Sequence, residues 1–159
     1  MKKFLILLAT FVVVATSLSG CGKEKIDSSV NIDKNIEHRQ DYQGVADKDI
    51  KDLDVSFSKE VMNDKTGNLR YSSFVKPENF KDYALSYGKA YIKSKNELHY
   101  VMNFQNKVMS SIKDMGDHYI VRDTEHVKGE EHDADTIGSG MLLAEYDVYK
   151  DNGDIIKVK

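Results

Sequence analysis

Tryptophan is absent from this 159-residue chain, and cysteine (Cys21) and proline (Pro77) occur once each. One cysteine cannot close an internal disulfide, which excludes a stapled secreted mini-fold, and it leaves a cysteine-rich zinc module without ligands. An excess of basic charge is missing too. The 23 basic residues stand against 26 acidic ones, a formal net charge of -3, so the chain has no general attraction for nucleic acid. The sequence holds no glycine-rich phosphate loop, no internal repeat and no low-complexity tract. Hydrophobic residues make up 40%, enough for one compact domain and too few for a polytopic membrane protein.

One long uncharged run is present. Lys2 and Lys3 form a short basic start, and Phe4 to Leu18 (FLILLATFVVVATSL) carries no charge, which is the layout of an export signal. The run ends in Leu18-Ser19-Gly20-Cys21, which resembles the lipobox of bacterial lipoproteins, where small residues precede an invariant cysteine. The resemblance implies that residues 1–20 are a signal peptide and that Cys21 is the lipidation site, receiving a diacylglycerol on sulfur and becoming the mature N-terminus. A thiolate suits that thioether chemistry. Two alternatives stay open. Phe4 to Gly22 is long enough to span a bilayer uncleaved, although Thr16 to Gly20 is poorly apolar for a span, and a cleaved but unlipidated export signal would look similar. Two or three acyl chains make a durable anchor, each buried methylene contributing about 0.8 kcal/mol. Loss of Lys2 and Lys3 takes the net charge from -3 to -5, so the body is expected to hang from its lipid on the extracytoplasmic face of the cell membrane rather than lie flat on anionic lipid.

From Cys21 to Asp49 the chain is polar, and Ile26, Val30, Ile32 and Ile36 recur irregularly. Such a stretch buries too little to repay its ordering entropy, so residues 21–49 read as a tether and 50–159 as a single domain; a short amphipathic helix at Ile32 to Ile36 is the alternative. Asp49 to Asp64 is ambiguous. Ile50, Leu53, Phe57 and Val61 form a helical stripe, whereas Val55, Phe57 and Val61 sit among polar residues in the manner of a half-buried strand. With the turn-rich Asn63 to Asn68 and the strand-like Leu69 to Val75, strand, turn, strand is the economical reading.

Beyond Pro77 the pattern is clearer. Phe80, Tyr83, Ala84, Tyr87, Ala90 and Tyr91 recur on one helical face, predicting a helix that ends near Lys95-Asn96. Gly88 sits beside the stripe, where it costs about 1 kcal/mol relative to alanine and suits close approach to a sheet. Leu98, Tyr100, Met102 and Phe104 then alternate with His99, Val101 and Asn103. Val108 to Ile112 is a weaker strand candidate. His118 to Val127 is β-rich, and Leu142, Ala144, Tyr146 and Val148 share a parity. Asp151-Asn152-Gly153 predicts a type I′ hairpin into a last strand, Asp154 to Val158. The expected fold is α+β, one helix packed on the apolar face of an antiparallel β-sheet.

A lipobox, a polar tether and one helix ahead of an antiparallel sheet together resemble the small cystatin-like-fold lipoproteins of Gram-positive bacteria, some of them carried on mobile elements. An NTF2-like helix-on-sheet cone is the related alternative. The resemblance rests on element order, and it lends no catalytic residues.

The densest polar cluster, Glu125 to Asp135, offers His126, Glu130, His132 and Asp133 as weak metal-ligand candidates. Their spacing matches no named site, and a solvated acidic loop accounts for the same residues. Lys150 to Asp154 fails as a calcium loop, because the first and third ligand positions would fall on Val148 and Lys150. Gly138-Ser139-Gly140 fails as a nucleophile elbow, because Ile137 and Met141 stand where glycines are needed. His99 and His118 lie in strands and read as structural. The expectation is therefore a non-catalytic binding or interaction module without cofactor. Its partners would be the membrane, through Cys21, and an unidentified envelope or surface protein, in processes such as exclusion of a second mobile element. A small metal-dependent hydrolase using the 126–135 loop, and a carrier of a small apolar ligand, are the alternatives.

Overall fold

A computed structural model describes residues 42–58 and 65–159. The signal, lipobox and most of the expected tether lie outside the described residues, as does the 59–64 part of the ambiguous segment.

Among the described residues, eight strands form one sheet in the order β1-β8-β7-β6-β5-β4-β3-β2. They are β1 (Tyr42–Val45), β2 (Ser56–Phe57), β3 (Leu69–Phe74), β4 (Leu98–Asn103), β5 (Val108–Asp114), β6 (His118–Glu125), β7 (Leu142–Tyr149) and β8 (Asp154–Lys157). The helices are α1 (Ile50–Leu53) and α2 (Ala84–Tyr91), the latter preceded by a 3-10 turn over Phe80–Tyr83. The fold is thus α+β and dominated by its sheet. Among the described residues no helix is long and apolar enough to cross a membrane.

Several expectations are corrected. The domain begins before residue 50: β1 pairs antiparallel with β8, and Ala46 is buried in the core with its N–H donating to the Gly153 carbonyl at 2.7 Å. Residues 42–49 therefore belong to the domain rather than the tether. The sheet is not wholly antiparallel, because β3 and β4 run parallel, joined by the segment that carries α2. A parallel pair needs such a crossover. The ambiguous segment resolves as one helical turn with buried Leu53, capped by the Asp49 carboxylate on Lys51 N–H and ended by Asp54 at φ 54°, and then β2, which pairs with β3.

The aromatic stripe of α2 is real, with Phe80, Tyr83, Ala84 and Tyr87 buried, but Ala90 is exposed and the helix stops at Tyr91 rather than near Lys95. Ile92 takes an extended conformation there, which suits its β-branched side chain. Gly88 fulfils its expected role: a Cβ at that position would collide with the ring of Tyr119 on β6. Under the helix, β4 presents His99, Val101 and Asn103, while Tyr100 and Met102 face away. The more polar parity thus meets the helix, because both faces of β4 are covered. The second face holds Leu69, Met102 and Met109 under Ile137 of the 126–141 loop.

The last hairpin forms, with a different turn from the one expected. Gly153 alone takes positive φ (78°), and its N–H donates to the Tyr149 carbonyl at 2.9 Å. Asn152 keeps negative φ and uses its side-chain oxygen to accept from Asp154 N–H at 2.9 Å, an Asx turn that competes with type I′ geometry.

Candidate functional site

The 126–141 loop packs over the second face of the sheet and is solvated only in part: His132, Asp133 and Asp135 are exposed, as expected of an acidic loop, whereas Glu130 and Ile137 are buried. Glu130 is 2% exposed. Its carboxyl oxygens accept from the N–H groups of Val127 (2.9 Å), Gly138 (2.7 Å) and Ser139 (3.2 Å), folding the loop around one buried side chain. That use requires glycine at 138, where φ is +73° and a Cβ would press on the Tyr100 ring; at Gly140 a Cβ would collide with the Glu125 carbonyl. The glycines flanking Ser139 thus serve the loop path. His126 Nε2 lies 2.8 Å from Glu131, whose carboxyl is held below its ordinary range chiefly by that imidazole. His132 is 82% exposed, 3.6 Å from the other Glu131 oxygen, and Asp133 accepts from the Asp135 N–H. The four ligand candidates are therefore split between an internal acceptor (Glu130), a hydrogen-bonded partner of Glu131 (His126) and the surface (His132, Asp133). Among the described residues no three His, Cys, Asp or Glu side chains converge as a metal-ligand set.

The strand histidines are built into the framework. His118 Nδ1 sits 2.7 Å from Asp117. His99 is buried and linked at both nitrogens, Nδ1 to the Tyr87 hydroxyl (2.9 Å) and Nε2 to Glu97 (3.1 Å), while the Tyr87 hydroxyl also meets Ser72 Oγ at 3.2 Å. Burial lowers the His99 pKa, against the opposing pull of Glu97. Burial likewise raises that of Tyr87.

A cleft of about 200 Å³ opens on the helix side, where the chain leading into the 3-10 turn crosses one end of the sheet. Its floor includes Asp123 and Ser110, paired across β6 and β5, with the Ser110 hydroxyl donating to the Asp123 carboxylate at 2.5 Å. Burial pushes the Asp123 carboxyl up from its ordinary range, against the Ser110 hydroxyl and the nearby Lys81 charge. Asn103 holds the near wall, its amide nitrogen donating to the carbonyls of Lys76 and Glu78 at 3.0 and 2.9 Å. Phe80 and Tyr146 supply apolar surface. Leu143 reaches the rim because β7 bulges there: Ala144 pairs with Asp123 and Leu142 with Thr124, leaving Leu143 as the extra residue. The bulge re-aims a side chain beside a cleft, and it moves Leu142 off the parity expected for it, to a second cleft on the opposite face beside Tyr100 and Arg122.

A partly buried carboxyl in a cleft, its pKa raised by burial, makes Asp123 a candidate functional group. Sequence reasoning passed over Asp123. The available signal was its parity, since Tyr119, Val121 and Asp123 share one face of a β-rich run and the third is an acid. Comparison with protein-family models, curated proteins and solved structures gave no match for this chain.

Proposed function

We propose that this protein is a lipoprotein held on the extracytoplasmic face of a bacterial membrane by acyl chains on Cys21, and that its domain is a non-catalytic binding module. The observation that carries the reading is Leu18-Ser19-Gly20-Cys21 closing an uncharged run that follows Lys2-Lys3. The domain geometry supports the second half. His99 and Glu130 are each 2% exposed and hold strands, helix and loop together from inside the domain, out of reach of a substrate. The cystatin-like relationship, with its link to mobile elements and their exclusion or envelope contacts, belongs to this proposal and rests on element order. Fractionation with fatty-acid labelling tests it: Cys21→Ala should abolish the label and either release the protein or leave unprocessed precursor. Persistent labelling would overturn the anchor, because no second cysteine exists.

The Asp123 cleft favours a second reading, a carrier of a small ligand. Its apolar walls suit the apolar body expected of a carried ligand, and the Asp123-Ser110 floor adds a demand for a hydrogen-bonding group on it.

A further inference from the structure

The floor of the Asp123 cleft is made of hydrogen-bond acceptors. Ser110 is buried, and its hydroxyl donates to one Asp123 oxygen at 2.5 Å, the length of a charge-assisted bond to a carboxylate. A hydroxyl has a single proton to give, so Ser110 keeps only lone pairs for the cleft. The second Asp123 oxygen has no hydrogen-bond or ion-pair partner among the described residues. It is open to the cleft, because the only buried and unpaired side-chain atom among those residues is the Tyr71 hydroxyl. The nearby Lys81 ammonium is engaged elsewhere, 3.2 Å from Asp82 and over the Tyr146 ring. Asn103 spends both its amide donors on the Lys76 and Glu78 carbonyls, and its oxygen accepts from Asn106 N–H at 2.9 Å. No Lys, Arg or His among the described residues lines the cleft.

We infer that this cleft binds a small organic ammonium, a protonated amine on a short apolar body, with its N–H groups on the free Asp123 oxygen and on Ser110. The inference rests on the carrier reading above and names the class of ligand carried. Three observations select that class. First, an ammonium brings donors and no acceptor, the complement of this floor, whereas a carboxylate ligand would meet Asp123 as a like charge. Second, burial raises the Asp123 carboxyl despite Ser110 and Lys81. An anion in that position lacks a full counter-charge, and a bound ammonium supplies one. Third, Phe80, Leu143 and Tyr146 give the space apolar walls for the body of the ligand. The volume, about 200 Å³, lies below the roughly 300 Å³ at which pockets for drug-sized ligands begin, so that body is short.

The test titrates the full chain, extracted from membranes in detergent, with benzylammonium, with neutral benzyl alcohol and with anionic benzoate. Binding is read by calorimetry and by shifts of the Ser110, Asp123 and Leu143 amide resonances. Benzylammonium should bind about tenfold or more tightly than benzyl alcohol, the worth of a hydrogen bond to a charged group, and benzoate should bind more weakly still. Asp123→Asn keeps an oxygen for the Ser110 hydroxyl and removes the charge, so it should erase the preference for the ammonium. The alcohol or benzoate binding as tightly as benzylammonium, or a preference that survives Asp123→Asn, would overturn the ammonium and leave a carrier of another class. Shifts at the cleft from none of the three probes would overturn the carrier reading as well, so the two fail separately. The three probes on the native chain decide the matter even where the variant does not fold.

Discussion

The hydroxyl of Tyr87 on α2 and Nδ1 of His99 on β4 lie 2.9 Å apart, joining helix to sheet by a polar contact inside an otherwise apolar core. Removing one member of such a pair leaves the other buried and unsatisfied, which costs about 1–3 kcal/mol. Tyr87→Phe strands both His99 and Ser72. It should lower the denaturant midpoint by an amount in that range, with no loss of apolar burial to account for it.

The same imidazole makes stability depend on acid. Burial holds the folded-state pKa of His99 below its ordinary value, so as pH falls past about 6.5 the unfolded chain binds this proton first. Glu97 acts in the same sense at lower pH. Burial pushes its carboxyl up, but the hydrogen bonds from His99 and Lys93 outweigh that and leave it below its ordinary value. Stability is therefore insensitive to His99 above about pH 6.5 and declines below it. Unfolding free energies at pH 7.5 and 5.5 should differ in the native chain, and the difference should shrink in His99→Gln. An unchanged difference would show that other groups carry the acid response.

Gly88 against the Tyr119 ring gives a sign test. In an exposed helix Gly→Ala stabilises by about 1 kcal/mol; here the new methyl meets the ring, and overpacking of this kind costs about 1–3 kcal/mol. Gly88→Ala should lower the melting temperature, and part of the loss should disappear in a Tyr119→Leu background, read as the coupling in a double-mutant cycle.

How much of this was legible follows from which residues carried local information. The α2 stripe and the alternation of β4 were readable because period and identity agreed over several turns. Three features depended on partners distant in sequence. Nothing in Tyr42-Gln43-Gly44-Val45 marks a strand until β8 offers its edge. The parallel pairing of β3 with β4 has no local signature. The facing of β4 was open because a strand covered on both sides does not declare which side meets the helix. In the candidate site, the acidic loop was visible as composition, but the inward turn of Glu130 needs the path that Gly138 and Gly140 allow.

That loop yields a contrast between neighbours. Glu130→Ala removes the acceptor of three backbone N–H groups, each costing about 1–3 kcal/mol where it stays buried and unpaired. His132→Ala, at the surface, should stay within about 0.5 kcal/mol. Unfolding of the two variants side by side should separate them clearly, and Glu130→Ala should raise hydrogen exchange across 126–141.

The boundary is tested by Ala46→Asp. In a polar tether the change would be neutral, within about 0.5 kcal/mol. In the core, where Ala46 packs with Leu53 and Ile155, it buries an unpaired charge and should cost several kcal/mol, read as a fall in the unfolding midpoint.

The proposal that this is a membrane-anchored binding module depends on the fate of Cys21 above all else. Mass spectrometry of the N-terminal peptide from the membrane-extracted protein measures that fate directly. The account predicts a peptide that starts at Cys21 and carries a diacylglycerol thioether on Sγ. A peptide that retains residues 1–20, or one that starts at or beyond Cys21 with no lipid on it, would contradict it.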